Sequence, residues 1–268
     1  MSLAGKLRGH FWRRAGPLLE RGFTPTLRHD ASAPPLLLSP HLDDAVIDCW
    51  SVITAPGALN VVNVFAGIPP EGRSTHWDRI VGAADSAALM RDRIEEDQAA
   101  LGRVGRGAVN LGFLEHQQRQ DRRPPTLAAI DHELTHAVPA ASRLYAPAAL
   151  GTPHPDHVRV RDYATACSGA GLPVELYADL PYAVVYGWPH WVTGDPPDPH
   201  LDVEAYWGDA QPPPEPRVVR LDEADAEAKL EAMRAYATQF PSLDRGPIGL
   251  LSNPKVHRFE VYWPCGSS

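Results

Sequence analysis

Two short stretches of this chain hold residues whose types and spacing can do chemistry together. The first is His41-Leu42-Asp43-Asp44, directly after the apolar residues 36–38 and the breaker pair Ser39-Pro40. Three ionisable groups at the end of an apolar run are not core filling, because unpaired buried charge costs too much. His41 and Asp44 are spaced i, i+3, so a helical turn opened by Pro40 lets both face one point while Asp43 points elsewhere. That division suits metal-assisted hydrolysis, which needs ligands plus a carboxylate off the metal to take a proton from water. The plainer reading is that Asp43 and Asp44 cap the following helix, since carboxylates favour helix N-termini.

The second stretch is His154-Pro155-Asp156-His157, where two imidazoles again stand at i, i+3 with a carboxylate between them. Neutral imidazole is the commonest metal ligand, and a nearby carboxylate commonly fixes its tautomer. One His-x-x-His is weak evidence in a chain with 12 histidines. Two such clusters, each following an expected strand, are stronger. His41, Asp44 and one of the later histidines make a two-His, one-carboxylate set that leaves positions for water.

The elements that must position these groups follow from pattern. Residues 36–38 and 142–145 read as buried strands, and residues 60–66, rich in β-branched side chains, as another. Residues 108–111 and 258–263 read as further strands, and residues 176–186 as an apolar, aromatic run leading to Trp188, His190 and Trp191. Helices are expected over 45–53, 86–101, 127–136 and 224–238. The loop 67–77, ending in Trp77, follows a strand's carboxyl end and is expected beside the first motif. Residues 194–216, dominated by Pro and Asp, read as an excursion or lid. Alternating strands and helices give the expected fold class: α/β, Rossmann-like, doubly wound, with a mainly parallel sheet flanked by helices. Residues 1–30 are expected as a basic amphipathic arm and residues 31–268 as a single domain. No internal repeat is present.

Composition narrows the class. At 44% hydrophobic and 22% charged residues, 268 residues make an ordinary globular chain. A net charge of −8 argues against nucleic acid as a partner. No apolar run is long enough to span a bilayer, and the arm lacks the apolar stretch of a secretory signal. Cys49, Cys167 and Cys265 are too few and scattered for a disulfide framework or a paired thiolate site. They read as free thiols in a reducing compartment, which places the protein in the cytoplasm.

In these motifs the chain resembles the LmbE-like, or PIG-L, zinc-dependent N-acetylglucosaminyl deacetylases. Residues 40–44 match that family's Pro-His-Pro-Asp-Asp signature at four of five positions, and residues 154–157 match its second signature. Lesser similarities at residues 93–96, 111–115, 177–182, 236–239 and 260–263 carry the resemblance across nearly everything after residue 30. The resemblance implies His41, Asp44 and His157 as ligands to one Zn2+ per chain, with Fe2+ or Co2+ also acceptable. It implies Asp43 as general base, His154 as the group assisting at the tetrahedral intermediate, Asp156 as the residue orienting His154, and Arg93 as a substrate-binding arginine. Leu42 departs from the usual proline at a position that does not ligate. Thr152 stands where some relatives carry a tyrosine. Asp48-Cys49-Trp50 replaces a small, glycine-containing stretch.

The function implied is hydrolysis of the acetyl or acyl group from an N-acetylglucosaminyl-type amino sugar on a small molecule or natural-product glycoside. Around the metal, Trp77, Trp188, Trp191 and Trp207 are candidate walls for the substrate, with core packing as the alternative. The competing classes fare worse. No G-x-G-x-x-G follows the first strand, and no G-x-S-x-G elbow is present. A metal-containing sugar-binding module of the same fold, without hydrolytic activity, is the alternative kept. His132 and His136 share a helix face at i, i+4 and read as solvated. His116, His190 and His257 can reach the pocket through loops but read as surface or core residues.

Overall fold

The computed structural model describes residue 20 and residues 22–150, 154–196, 199–200, 216–245 and 249–265. Three consecutive leucines suit a strand covered on both faces. They form β2 (Leu36–Ser39), fully buried in a seven-stranded sheet. Its neighbours β3 (Asn60–Asn63) and β6 (Leu144–Pro147) run parallel to it. Beyond them, also parallel, lie β4 (Ala108–Asn110) and β7 (Val174–Tyr177). The far edge turns antiparallel, where β9 (Phe259–Cys265) pairs with β7 and with β8 (Arg217–Arg220).

The order β4-β3-β2-β6-β7-β9-β8 grows first to one side of β2 and then to the other. The reversal therefore falls between β2 and β6, where an open α/β sheet forms a crevice at its strands' carboxyl ends. Both histidine motifs follow those two strands. The fold is the expected mainly parallel, helix-flanked α/β sheet. A separate parallel pair joins β1 (Arg28–His29) to β5 (Ala140–Ala141).

Some elements differ from expectation. The single helix expected over 45–53 is two, Asp44–Asp48 and Trp50–Ile53, broken at Cys49 (φ −130°, ψ 36°). The cause lies far along the chain. The Glu260 carboxylate accepts the Trp50 and Ser51 amides at 2.7 and 3.1 Å, capping a new helix start. Fully buried Lys229 compensates that charge at 2.8 Å. The helix expected over 224–238 is Glu223–Met233, and β8 was not anticipated. The remaining expected strands and helices are present with ends shifted by a few residues.

Residues 1–19 and 21 of the expected arm lie outside the described residues. Nearby, Thr26 bonds the buried Asp131 through its hydroxyl at 2.6 Å, and Glu20 pairs with Arg159 at 2.6 Å. Of the expected excursion over 194–216, residues 197–198 and 201–215, with Trp207, lie outside the description, as does Thr152. Among the described residues no helix is long and apolar enough to cross a membrane.

Candidate active site

The turn leaving β2 is tied by Ser39, whose hydroxyl donates to the His41 carbonyl at 2.5 Å and accepts the Ala45 amide at 3.0 Å. The helix Asp44–Asp48 then starts with Asp43 at its N-cap, yet the Asp43 side chain makes no capping hydrogen bond. Asp44 instead reaches back, its Oδ2 accepting the His41 amide at 2.7 Å. The capping reading therefore does not describe these carboxylates, and Asp43 lines a cleft of about 350 Å³. On the β6 side, the helix Pro155–Gly169 has His154 at its N-cap, with Nδ1 accepting the Asp156 amide at 3.3 Å. His157, one turn on, is completely buried.

Three ligand atoms converge from these two elements. His41 Nδ1 and His157 Nε2 stand 3.2 Å apart, and each is 3.5 Å from Asp44 Oδ2. The outer imidazole nitrogens face carboxylates: His41 Nε2 lies 3.3 Å from Asp156 Oδ2, and His157 Nδ1 lies 3.7 Å from Asp179 Oδ1. Protons assigned to those outer nitrogens leave two lone pairs and a carboxylate oxygen aimed at one point. Such a set calls for a cation. Ligands ~2.1 Å from a tetrahedral ion are ~3.4 Å from one another, so the triangle fits one divalent ion. Wider groupings bring in His154 with the two imidazoles, and Asp43 with His41 and Asp44, all within 4.8 Å. The shorter edges favour His41, Asp44 and His157 as the set.

Charge is distributed unevenly among these groups. Burial pushes the Asp43 carboxyl up, and neighbouring Asp44 adds to it. Asp44 is also buried, but His157 and His41 hold its carboxyl far below the usual range. Burial likewise opposes a charge on His41, yet Asp156 and Asp44 raise its pKa well above normal. His154 is lowered, by burial and then by His41. A neutral His154 that accepts at Nδ1 carries its proton on Nε2, as a donor.

The other expected site residues take varied positions. Asp156 stands 3.7 Å from His154 Nδ1, but its closer partners are His41, Arg119 Nη2 at 2.6 Å and the His116 amide at 2.8 Å. Arg93 is buried in the helix Ser86–Gly102, paired with Glu115, and lines the cleft. Trp77 also lines it, its indole donating to Gln239 Oε1 at 2.7 Å. Trp188 does not line it. It is buried in the core, where its indole donates to the Val256 carbonyl at 3.1 Å, because the chain after β7 folds inward there. Trp191 packs partly buried against the same core. His132, His136 and His190 are exposed, and His257 is buried against the Leu251 carbonyl.

Several site groups escaped the sequence reading. Asp179, just past the end of β7, backs His157, and the rule that ligands collect at strand ends was the available signal. Arg119, which holds Asp156, comes from a loop with no such signal. Tyr182 and Gln239 line the cleft within stretches already noted as similar to the family, but without a role.

No protein-family model and no curated protein matches the chain. Solved structures do. A deacetylase triple mutant of the teicoplanin biosynthetic pathway aligns at TM-score 0.65 and 25% identity, over 87% of this chain and 97% of its own. The A40926 pseudoaglycone deacetylase aligns at 0.64 and 27%, over 88% and 99%. An N,N'-diacetylchitobiose deacetylase from Pyrococcus horikoshii shares the fold at 0.51 and 15%, over 98% and 93%.

Proposed function

We propose that this chain, which shares the fold of the LmbE-like, PIG-L deacetylases and carries both of their motifs, is a metal-dependent amide hydrolase that deacetylates an amino sugar on a natural-product glycoside. One observation carries the reading: the His41–Asp44–His157 triangle at the strand-order reversal, with the uncapped Asp43 carboxylate beside it. Zinc is the ion proposed, one per chain, and iron(II) or cobalt(II) suits the same donors. When bound, such an ion supplies Lewis acidity to an otherwise unreactive acetamide carbonyl.

The protein's own groups do the rest. Asp43, made more basic by burial and by Asp44, takes the proton from attacking water. His154 donates from Nε2 to the oxyanion that develops. Asp156 and Asp179 hold the two ligand imidazoles in the tautomers that present lone pairs inward. Arg93, fixed by Glu115, positions the sugar, and Trp77, fixed by Gln239, packs on the group attached to it. The proton held by Asp43 then passes to the leaving nitrogen as the C–N bond breaks, and the products are acetate and a free amine.

The neighbours that act in the teicoplanin and A40926 pathways support a glycoside of a natural product as the substrate class. Three free cysteines, two of them buried, support placement in a reducing compartment such as the cytoplasm. The test is release of acetate and amine from a panel of N-acetylglucosaminyl conjugates, with divalent metal restored to the purified protein. Binding of such conjugates with no acetate released would support the sugar-binding module instead.

A further inference from the structure

The cleft holds two arginines in opposite circumstances. Arg93 is buried and neutralised by Glu115, and it also lies in the field of Asp43 and Asp44. It has no charge to spare. Arg245, at the more open end of the same cleft, is exposed, and among the described residues no carboxylate pairs with it. No ion pair joins it to the adjacent Asp244, whose Oδ1 accepts the Ser252 amide at 2.8 Å.

Ser242, three residues before Arg245, lines the cleft too, and no described residue bonds its hydroxyl. The other polar groups there are committed. Gln239 takes the Trp77 indole and donates to the Thr238 hydroxyl at 3.1 Å, and Thr238 is bonded to Glu96 at 2.7 Å. Gln117 is engaged by Glu115 and Thr75. The open end of the cleft thus offers an uncommitted guanidinium and hydroxyl beside an indole held in one orientation.

We infer that this end reads an anionic group on the substrate, and that Arg245 is a specificity-determining residue for a carboxylate carried on the aglycone. The inference rests on the deacetylase reading for where the amino sugar sits. The guanidinium is a planar fork that matches a carboxylate through two parallel hydrogen bonds. The Ser242 hydroxyl adds a third donor. The indole of Trp77 offers a flat apolar face for the ring that bears the carboxylate. Of the two cleft-lining arginines, Arg245 is the one that no described carboxylate pairs. It also favours encounter with an anionic substrate.

The test compares 4-carboxyphenyl N-acetyl-β-glucosaminide with its neutral methyl ester. Dissociation constants and acetate release are measured for the wild type, Arg245→Gln and Arg245→Lys. The wild type is expected to bind the carboxylate about fivefold more tightly than the ester, the scale of a good exposed ion pair. That ratio falls to about one in Arg245→Gln, is partly kept in Arg245→Lys, and shrinks as salt is raised. A phosphate-bearing analogue that beats the carboxylate in the wild type would overturn the choice of carboxylate. A wild type without the preference, or an Arg245→Gln protein that keeps it, overturns the inference whether or not acetate appears. If the preference follows Arg245 while no conjugate releases acetate, the anion-reading end stands and the hydrolase reading fails.

Discussion

The two ends of one cleft are built on opposite terms. At the metal end the ligands and the groups behind them are buried and paired: Asp44 to His41 and His157, Asp156 to His41 and Arg119, Arg93 to Glu115. At the open end Trp77 is fixed, but Ser242 and Arg245 are left with hydrogen-bonding capacity to spare. A buried charge network is costly unless complete, so it tolerates little variation. An exposed donor costs little to change. On the proposed reading, reaction chemistry sits where the fold fixes the geometry most tightly, and substrate choice sits where it does not.

Substitutions should separate the two ends, and the largest effect belongs to Asp43. Asp43→Asn keeps the shape and removes the base, so turnover should fall by roughly 10²–10⁴-fold with metal content unchanged. Loss of metal with turnover barely moved would exchange the roles of Asp43 and Asp44. Behind the site, Asp179→Ala removes the carboxylate facing His157 and should weaken metal affinity by about 10–100-fold. An unchanged affinity in a metal titration would show that His157 needs no such partner. At the open end, Trp77→Ala should raise KM about tenfold, the scale of a lost stacking contact, with kcat and metal content little changed. A fall confined to kcat would place Trp77 in the chemistry.

The smallest effect concerns the frame around the metal end. Asp97 accepts from Tyr236 at 2.8 Å and from Asn63 at 2.7 Å, and burial above all pushes its carboxyl up to about 7. A raised folded pKa means that the folded chain keeps a proton which the unfolded chain has released. That stabilisation is fully present below the ordinary carboxyl range and is lost as pH rises through about 7. The unfolding free energy of the wild type relative to Asp97→Asn, from denaturant titrations, should fall between pH 5 and 7.5, by up to about 1.4 kcal/mol per pH unit. Parallel midpoints across that range would show that Asp97 is ionised throughout.

How much of this was legible in the sequence follows from how far apart the partners lie. His41, Asp43 and Asp44 are local to one turn, and His154 and His157 to another, so spacing and the preceding strands made both readable. The alternation of strands and helices made the sheet readable as well. What the sequence hid is carried by long-range pairing. The break at Cys49 depends on Glu260, more than two hundred residues away, and on a buried lysine that composition would place at the surface. Asp156 was assigned to its sequence neighbour His154, whereas the fold brings His41 and Arg119 closer to it. Trp188 was read as a wall because rings stack on sugars, with core packing as the alternative, and the chain passes the cleft at Tyr182 before it buries Trp188 in the core.

The central claim is that residues from two distant strand ends form one metal site. Its most direct test is the metal content of the wild type and of His157→Ala, measured by elemental analysis after equilibration with a divalent ion and removal of excess. The account predicts about one equivalent per chain in the wild type, as an open three-ligand site implies. It predicts far less in His157→Ala, with the circular dichroism spectrum of the fold retained. A folded His157→Ala protein that holds as much metal as the wild type would contradict it.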